Sequence, residues 1–94
     1  LHPIVDTTRA NVPVANWTAN TLVTWWCTRL LGYQPEAARK QALVAFMAQN
    51  GDPNSYVITD TNTWQGSDLK RHYNHERLRS LVALILMTPE FLSR

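Results

Sequence analysis

Apolar positions recur with a helical period through most of the chain and lose it in two places, residues 1–16 and 50–66. From Trp17 onward Leu22, Trp26 and Leu30 are spaced by four, with Val23, Cys27 and Leu31 beside them, so the spacing predicts a helix over 17–31. Gly32 supplies its stop, as a residue suited to the left-handed conformation that follows many helices. Pro35 stands where a first helical position would be, Glu36 complements the positive helix start, and the helix predicted over 36–49 buries Leu43, Phe46 and Met47.

Asn50-Gly51-Asp52-Pro53 has the chemistry of a turn, and 50–66 reads as an irregular loop around a short apolar stretch, Tyr56-Val57-Ile58, too short to pair alone. Ser67 is a good N-cap for a helix over 68–87, polar in its first half and apolar nearly all round from Leu81 to Met87. Thr88 then caps and Pro89 opens a last turn that returns Phe91 and Leu92 to the core. Pro3 and Pro13, with no sustained period between them, make residues 1–16 an extended N-terminal arm, which frays unless Ile4 and Val5 are covered.

The expected architecture is therefore all-α: the arm, then a helical domain over 17–94 with three main helices and a short C-terminal helical turn. Its core is expected from Leu22, Trp26, Leu30, Leu43, Phe46, Met47, Leu78, Leu81, Val82, Ile85 and Phe91. On that packing, Phe91→Ala would cost about 3 kcal/mol.

Composition narrows the function classes. Ninety-four residues, 45% of them hydrophobic and 17% charged, make one small globular domain that is not disordered, and four tryptophans supply a large contact area. A net charge of +2 is too mild for a nucleic-acid binder. The single cysteine, Cys27, excludes an internal disulfide and a cysteine-based zinc site, and its apolar neighbours imply a buried, inert thiol. The Leu81–Met87 run is far short of the roughly 20 residues of a bilayer-spanning helix. The opening Leu1-His2-Pro3 has neither initiator Met nor signal, which reads as a piece of a longer polypeptide.

Trp25-Trp26-Cys27-Thr28-Arg29-Leu30-Leu31-Gly32, then Pro35 and 37–47, then 77–86 and Thr88-Pro89-Glu90-Phe91, together resemble the C-terminal part of the bacterial domain-of-unknown-function family numbered 1800. That family closes with an apolar helix and a Ser/Thr-Pro-Glu-Phe motif. A similar ending, Ser-x-Glu-Phe, occurs in planctomycete cytochrome-associated domains of unknown function. The resemblance covers about 17–94 without the 54–66 loop, and Thr88 in place of serine keeps the capping hydroxyl. It implies an exported, helical bacterial protein, periplasmic or extracellular, whose companion is an exported sulfatase-like protein of the family numbered 1501. It carries no catalytic residue set.

Four constellations bear on chemistry. His72, His75 and Glu76, with Asp68 a turn earlier, share one side of a helix at metal-ligand spacing, yet His-x-x-His-Glu fits no metalloprotease pattern and a fourth ligand is not evident. Lys70, Arg71, Arg77 and Arg79 form a basic stretch beside Tyr73, but helical spacing scatters them, and Arg77 and Arg79 are expected to pair with carboxylates elsewhere in the longer protein. Asp52, Asn54, Asp60 and Asn62 are oxygen donors in a loop, in the wrong register for calcium and right for ordinary turns. Trp17, Trp25, Trp26 and Trp64 offer aromatic area, with Trp25 and Trp64 the pair expected to be exposed for a sugar ring or a partner helix.

Asn16-Trp17-Thr18 matches a glycosylation sequon, and more simply caps the helix that follows. No serine, threonine or cysteine has a base and orienter beside it, no phosphate loop is present, and no cofactor is called for. The sequence thus points to a noncatalytic structural or protein-interaction module that packs on the remainder of its longer protein. A carbohydrate-binding module using Trp25 and Trp64, and a part of a metal-dependent enzyme with further ligands upstream, are the other readings.

Overall fold

A computed structural model describes residues 3–49, 51–54 and 69–93, without the side chains of 69–75. The protein is an all-α bundle: α1 (Pro3–Asn11), a 3-10 turn (Val14–Asn16), α2 (Ala19–Leu31), α3 (Ala37–Ala48), α4 (Leu69–Leu86) and a short α5 (Pro89–Leu92). α2, α3 and α4 pack on one another, α1 lies against α4, and α5 closes on α2 and α4.

Residues 1–16 do not form the extended arm that their prolines suggest. α1 begins at Pro3, where the missing N–H removes nothing from the helix, and it ends at Asn11, two residues before Pro13. Its inner side is Val5 and Thr8, and Val12 just past its end is buried with them. Trp17, 0% exposed, follows and donates its indole N–H to the Val12 carbonyl at 2.8 Å. That bond satisfies the polar edge of a large side chain sunk in the core.

α2 begins and ends as its sequence demands. Thr18 is the N-cap, its hydroxyl oxygen accepting from the Thr21 N–H at 3.2 Å, and Gly32 ends the helix at φ +83°. Leu22, Val23, Trp26, Cys27 and Leu31 are buried, whereas Leu30 only packs against the edge of the core.

Two details of α3 differ from expectation. Pro35 precedes the helix instead of opening it, and is itself buried, with Glu36 at the N-cap position. Phe46 is 38% exposed, because the inward side is set by Leu43, Val44, Met47 and Ala48. Gln49 ends α3 in the left-handed region at φ +50° and donates to the Ala45 and Phe46 carbonyls.

The apolar half of α4 sits in the core through Leu78, Leu81, Val82 and Ile85, leaving Leu84 and Leu86 exposed. At its end the Thr88 hydroxyl donates to the Ile85 carbonyl at 2.7 Å and accepts from the Phe91 N–H at 3.2 Å, so one side chain reverses the chain into α5. Phe91 packs on the core but stays partly exposed. Its truncation is therefore worth about 2 kcal/mol, less than a fully buried phenylalanine.

Candidate functional site

Among the described residues, the seam between α3 and α4 brings together three exposed large apolar side chains, Phe46, Leu84 and Met87. Positions 39, 42, 43 and 46 line one side of α3, with Gln49 just past its end, and 76, 77, 80 and 84 line one side of α4, with Met87 just past its end. The two rows meet head to tail. Arg39, Ala42, Leu43, Leu84 and Met87 line one opening beside Thr88 and Pro89. Phe46, Gln49, Glu76, Arg77 and Ser80 line the next, further along. Met87, 71% exposed, and Leu84 rise from this surface, and Leu92 stands equally bare on α5.

The upper end of the seam is fixed by charge. Arg39 Nε lies 2.6 Å from Glu90 Oε1, and the Glu36 backbone N–H donates to Glu90 Oε2 at 3.3 Å. Tyr33 adds a bond from its hydroxyl to the Glu90 carbonyl at 3.4 Å. Removal from water opposes ionisation of Glu90, but the amide donors of Glu90 itself and Glu36, with the Arg39 guanidinium, outweigh it and hold the carboxyl below its ordinary range. Read as a motif, Thr88-Pro89-Glu90-Phe91 gave Glu90 no task; the structure makes it the anchor of α5 on α3.

A second cleft, of about 450 Å³, opens on the other flank of α3 between Ala37, Gln41, Val44, Ala48, Gly51 and Pro53. Beside it the 51–54 turn is ordinary loop chemistry: the Asn54 N–H donates to Asp52 Oδ1 at 2.9 Å, and Asn20 Nδ2 donates to Asn54 Oδ1 at 2.6 Å. Asp60 and Asn62 lie outside the described residues.

Among the tryptophans, Trp17 and Trp26 belong to the core. Trp26 donates its indole N–H to Thr8 Oγ1 at 3.0 Å, and the Thr8 hydroxyl donates in turn to the Ile4 carbonyl at 2.7 Å, a pair of bonds that ties α1 to α2. Trp25 is half-buried, edge-on to Trp26 with centroids 5.0 Å apart, and the Arg29 guanidinium stands 5.5 Å from its ring centre. That cation occupies ring area which a sugar would otherwise stack on. Gln34 runs alongside, donating from Nε2 to the Thr24 carbonyl at 3.0 Å and to Thr28 Oγ1 at 2.8 Å. Trp64 lies outside the described residues.

His72, Tyr73 and His75 lie on the α4 backbone, as expected, and their side chains fall outside the described residues, as do those of Lys70 and Arg71. Asp68 is likewise outside. Glu76 pairs with Arg79 one turn on, so Arg79 has a carboxylate in its own helix. Arg77, its companion in the basic stretch, is buried. Among the described residues no three His, Cys, Asp or Glu side chains gather to hold a metal. Cys27 is a buried free thiol; desolvation raises its pKa, Lys40 opposes the rise and Glu90 adds to it.

No helix of the described residues is long and apolar enough to cross a membrane. No protein-family model, curated protein or solved structure matches the chain.

Proposed function

We propose that the chain is a noncatalytic structural or protein-interaction module of an exported bacterial protein, acting in the periplasm or outside the cell. The observation that carries the interaction reading is the α3–α4 seam, where Phe46, Leu84 and Met87 face outward from a bundle whose core is already closed by other residues. Outward apolar side chains grouped on one face mark contact surfaces. Polar groups near the seam support the same reading, since Glu90 is engaged with Arg39 and Glu76 with Arg79. Export, the bacterial source and a sulfatase-like companion rest on the ending Thr88-Pro89-Glu90-Phe91 and the apolar helix before it.

The test is a pull-down of the full-length protein from its native host, wild type against Met87→Glu. Recovery of the remainder of the longer protein or of an exported companion, lost on Met87→Glu, is the expected result. Equal recovery by both proteins removes the seam from the reading. A sugar panel that quenches tryptophan fluorescence, and no longer does so in Trp25→Ala, would replace it with carbohydrate binding.

A further inference from the structure

We infer that the cleft on the far flank of α3 is a binding site for a free aliphatic carboxylate of medium chain length, its head held by the Lys40 ammonium. The inference stands apart from the interaction reading, since the seam lies on the other side of that helix.

Backbone hydrogen bonds build the walls. The Gly51 N–H donates to the Ala48 carbonyl at 2.9 Å, and the Asn20 N–H, at the start of α2, donates to the Pro53 carbonyl at 3.2 Å. The side-chain amides of Asn20 and Asn54 add a bond of 2.6 Å. The 51–54 turn is thereby pinned to α2, and the space left beside α3 is the cleft of about 450 Å³, within the range of small-molecule sites.

The lining sets the chemistry of the ligand. Ala37, Val44, Ala45, Ala48 and Pro53 present apolar surface to it. Among the described residues Lys40 is the one charged side chain of the lining, and it makes no hydrogen bond or ion pair. Its neighbour Arg39, by contrast, is engaged with Glu36 and Glu90. Lys40 is also half-buried, so water screens its charge less than that of a fully exposed lysine. An apolar body with one anionic head complements both features. A polyanion would want several cations, an amine would be repelled, and a neutral hydrocarbon would leave the ammonium without a partner.

Length follows from the helix. Between Lys40 and Ala48 α3 rises about 12 Å, which an extended alkyl chain of about eight carbons spans.

The test is a titration of the ¹⁵N-labelled 94-residue chain with octanoate to about 10 mM, followed by amide chemical shifts. The expected result is saturable shifts concentrated in residues 37–48 and 51–53, with a dissociation constant on the order of 1 mM. Butanoate, too short for the cleft, and 1-octanol, without the charge, are each expected to bind tenfold or more weaker at equal concentrations. Lys40→Gln is expected to weaken octanoate tenfold or more, and Ala45→Trp, at an exposed position, to fill the cleft and abolish binding with circular dichroism unchanged. No saturable shift, shifts centred elsewhere on the bundle, equal binding of 1-octanol, or affinity unchanged by Lys40→Gln would overturn the proposal.

Discussion

Arg39 on α3 and Glu90 on α5 stand 2.6 Å apart across an interval of fifty-one residues, and this pair holds the last helix of the bundle in place. Arg39 also reaches Glu36 at 3.7 Å, so one guanidinium serves both sides of the contact. With the backbone N–H of Glu36 on its second oxygen, the Glu90 carboxylate is satisfied in a way that water alone would not organise.

Glu90→Gln is therefore expected to lower the melting temperature at neutral pH. Because the carboxyl is more acidic folded than unfolded, its contribution is complete above the ordinary value of 4.5 and fades as pH falls through the lower folded value. Thermal melts across that acidic range are expected to steepen for the wild type and to be flatter for the variant. Parallel curves for the two proteins would refute the link.

Thr8→Val keeps the shape of a fully buried side chain but removes the acceptor for the Trp26 indole N–H. A buried donor left unpaired costs about 1–3 kcal/mol, which urea unfolding followed by tryptophan fluorescence would measure. A loss below that range would mean that the indole finds another partner.

Gln49 takes a left-handed conformation that L-residues avoid. Gln49→Gly relieves this and is expected to stabilise the protein by about 1 kcal/mol, less the entropy that glycine brings to the unfolded chain. A lowered melting temperature would show that the glutamine side chain contributes more than its backbone strain.

Cys27 is shielded on all sides and its thiol is pushed toward the protonated form. A disulfide-exchange reagent is expected to leave it unmodified in the native protein and to titrate one thiol after unfolding. Rapid native labelling would show that the α2–α5 contact opens readily.

Much of the bundle was legible because its signals are local. Thr18, Gly32, Thr88 and Pro89 mark helix limits within a few residues of themselves, and the spacing of Leu22 with Trp26 or of Leu43 with Met47 needs only the helical period. Phe46 misled because bulk resembles burial: the inward side of α3 is covered by the smaller Val44 and Ala48, and periodicity cannot decide between adjoining stripes. α1 was missed because Ile4, Val5, Thr7 and Thr8 are modest helix formers, and its prolines read as breaks rather than as the two limits of a helix. Arg39 and Glu90 were beyond reach, since no local pattern joins residues so far apart. The seam escaped for a related reason: each helix shows its own row of side chains, but only their packing brings the two rows together.

The contact of α1 with α4 also bears on how the bundle assembles. α2 and α3 are neighbours along the chain and are able to pair early through short-range contacts, whereas α1, beyond its Thr8–Trp26 bond to α2, meets α4 only after a long loop has closed. Val5, Thr8 and Val12 are therefore expected to join the core late. On this contact order the first helix is expected to dock last and to open first, which faster amide exchange in α1 than in α2–α4 would check.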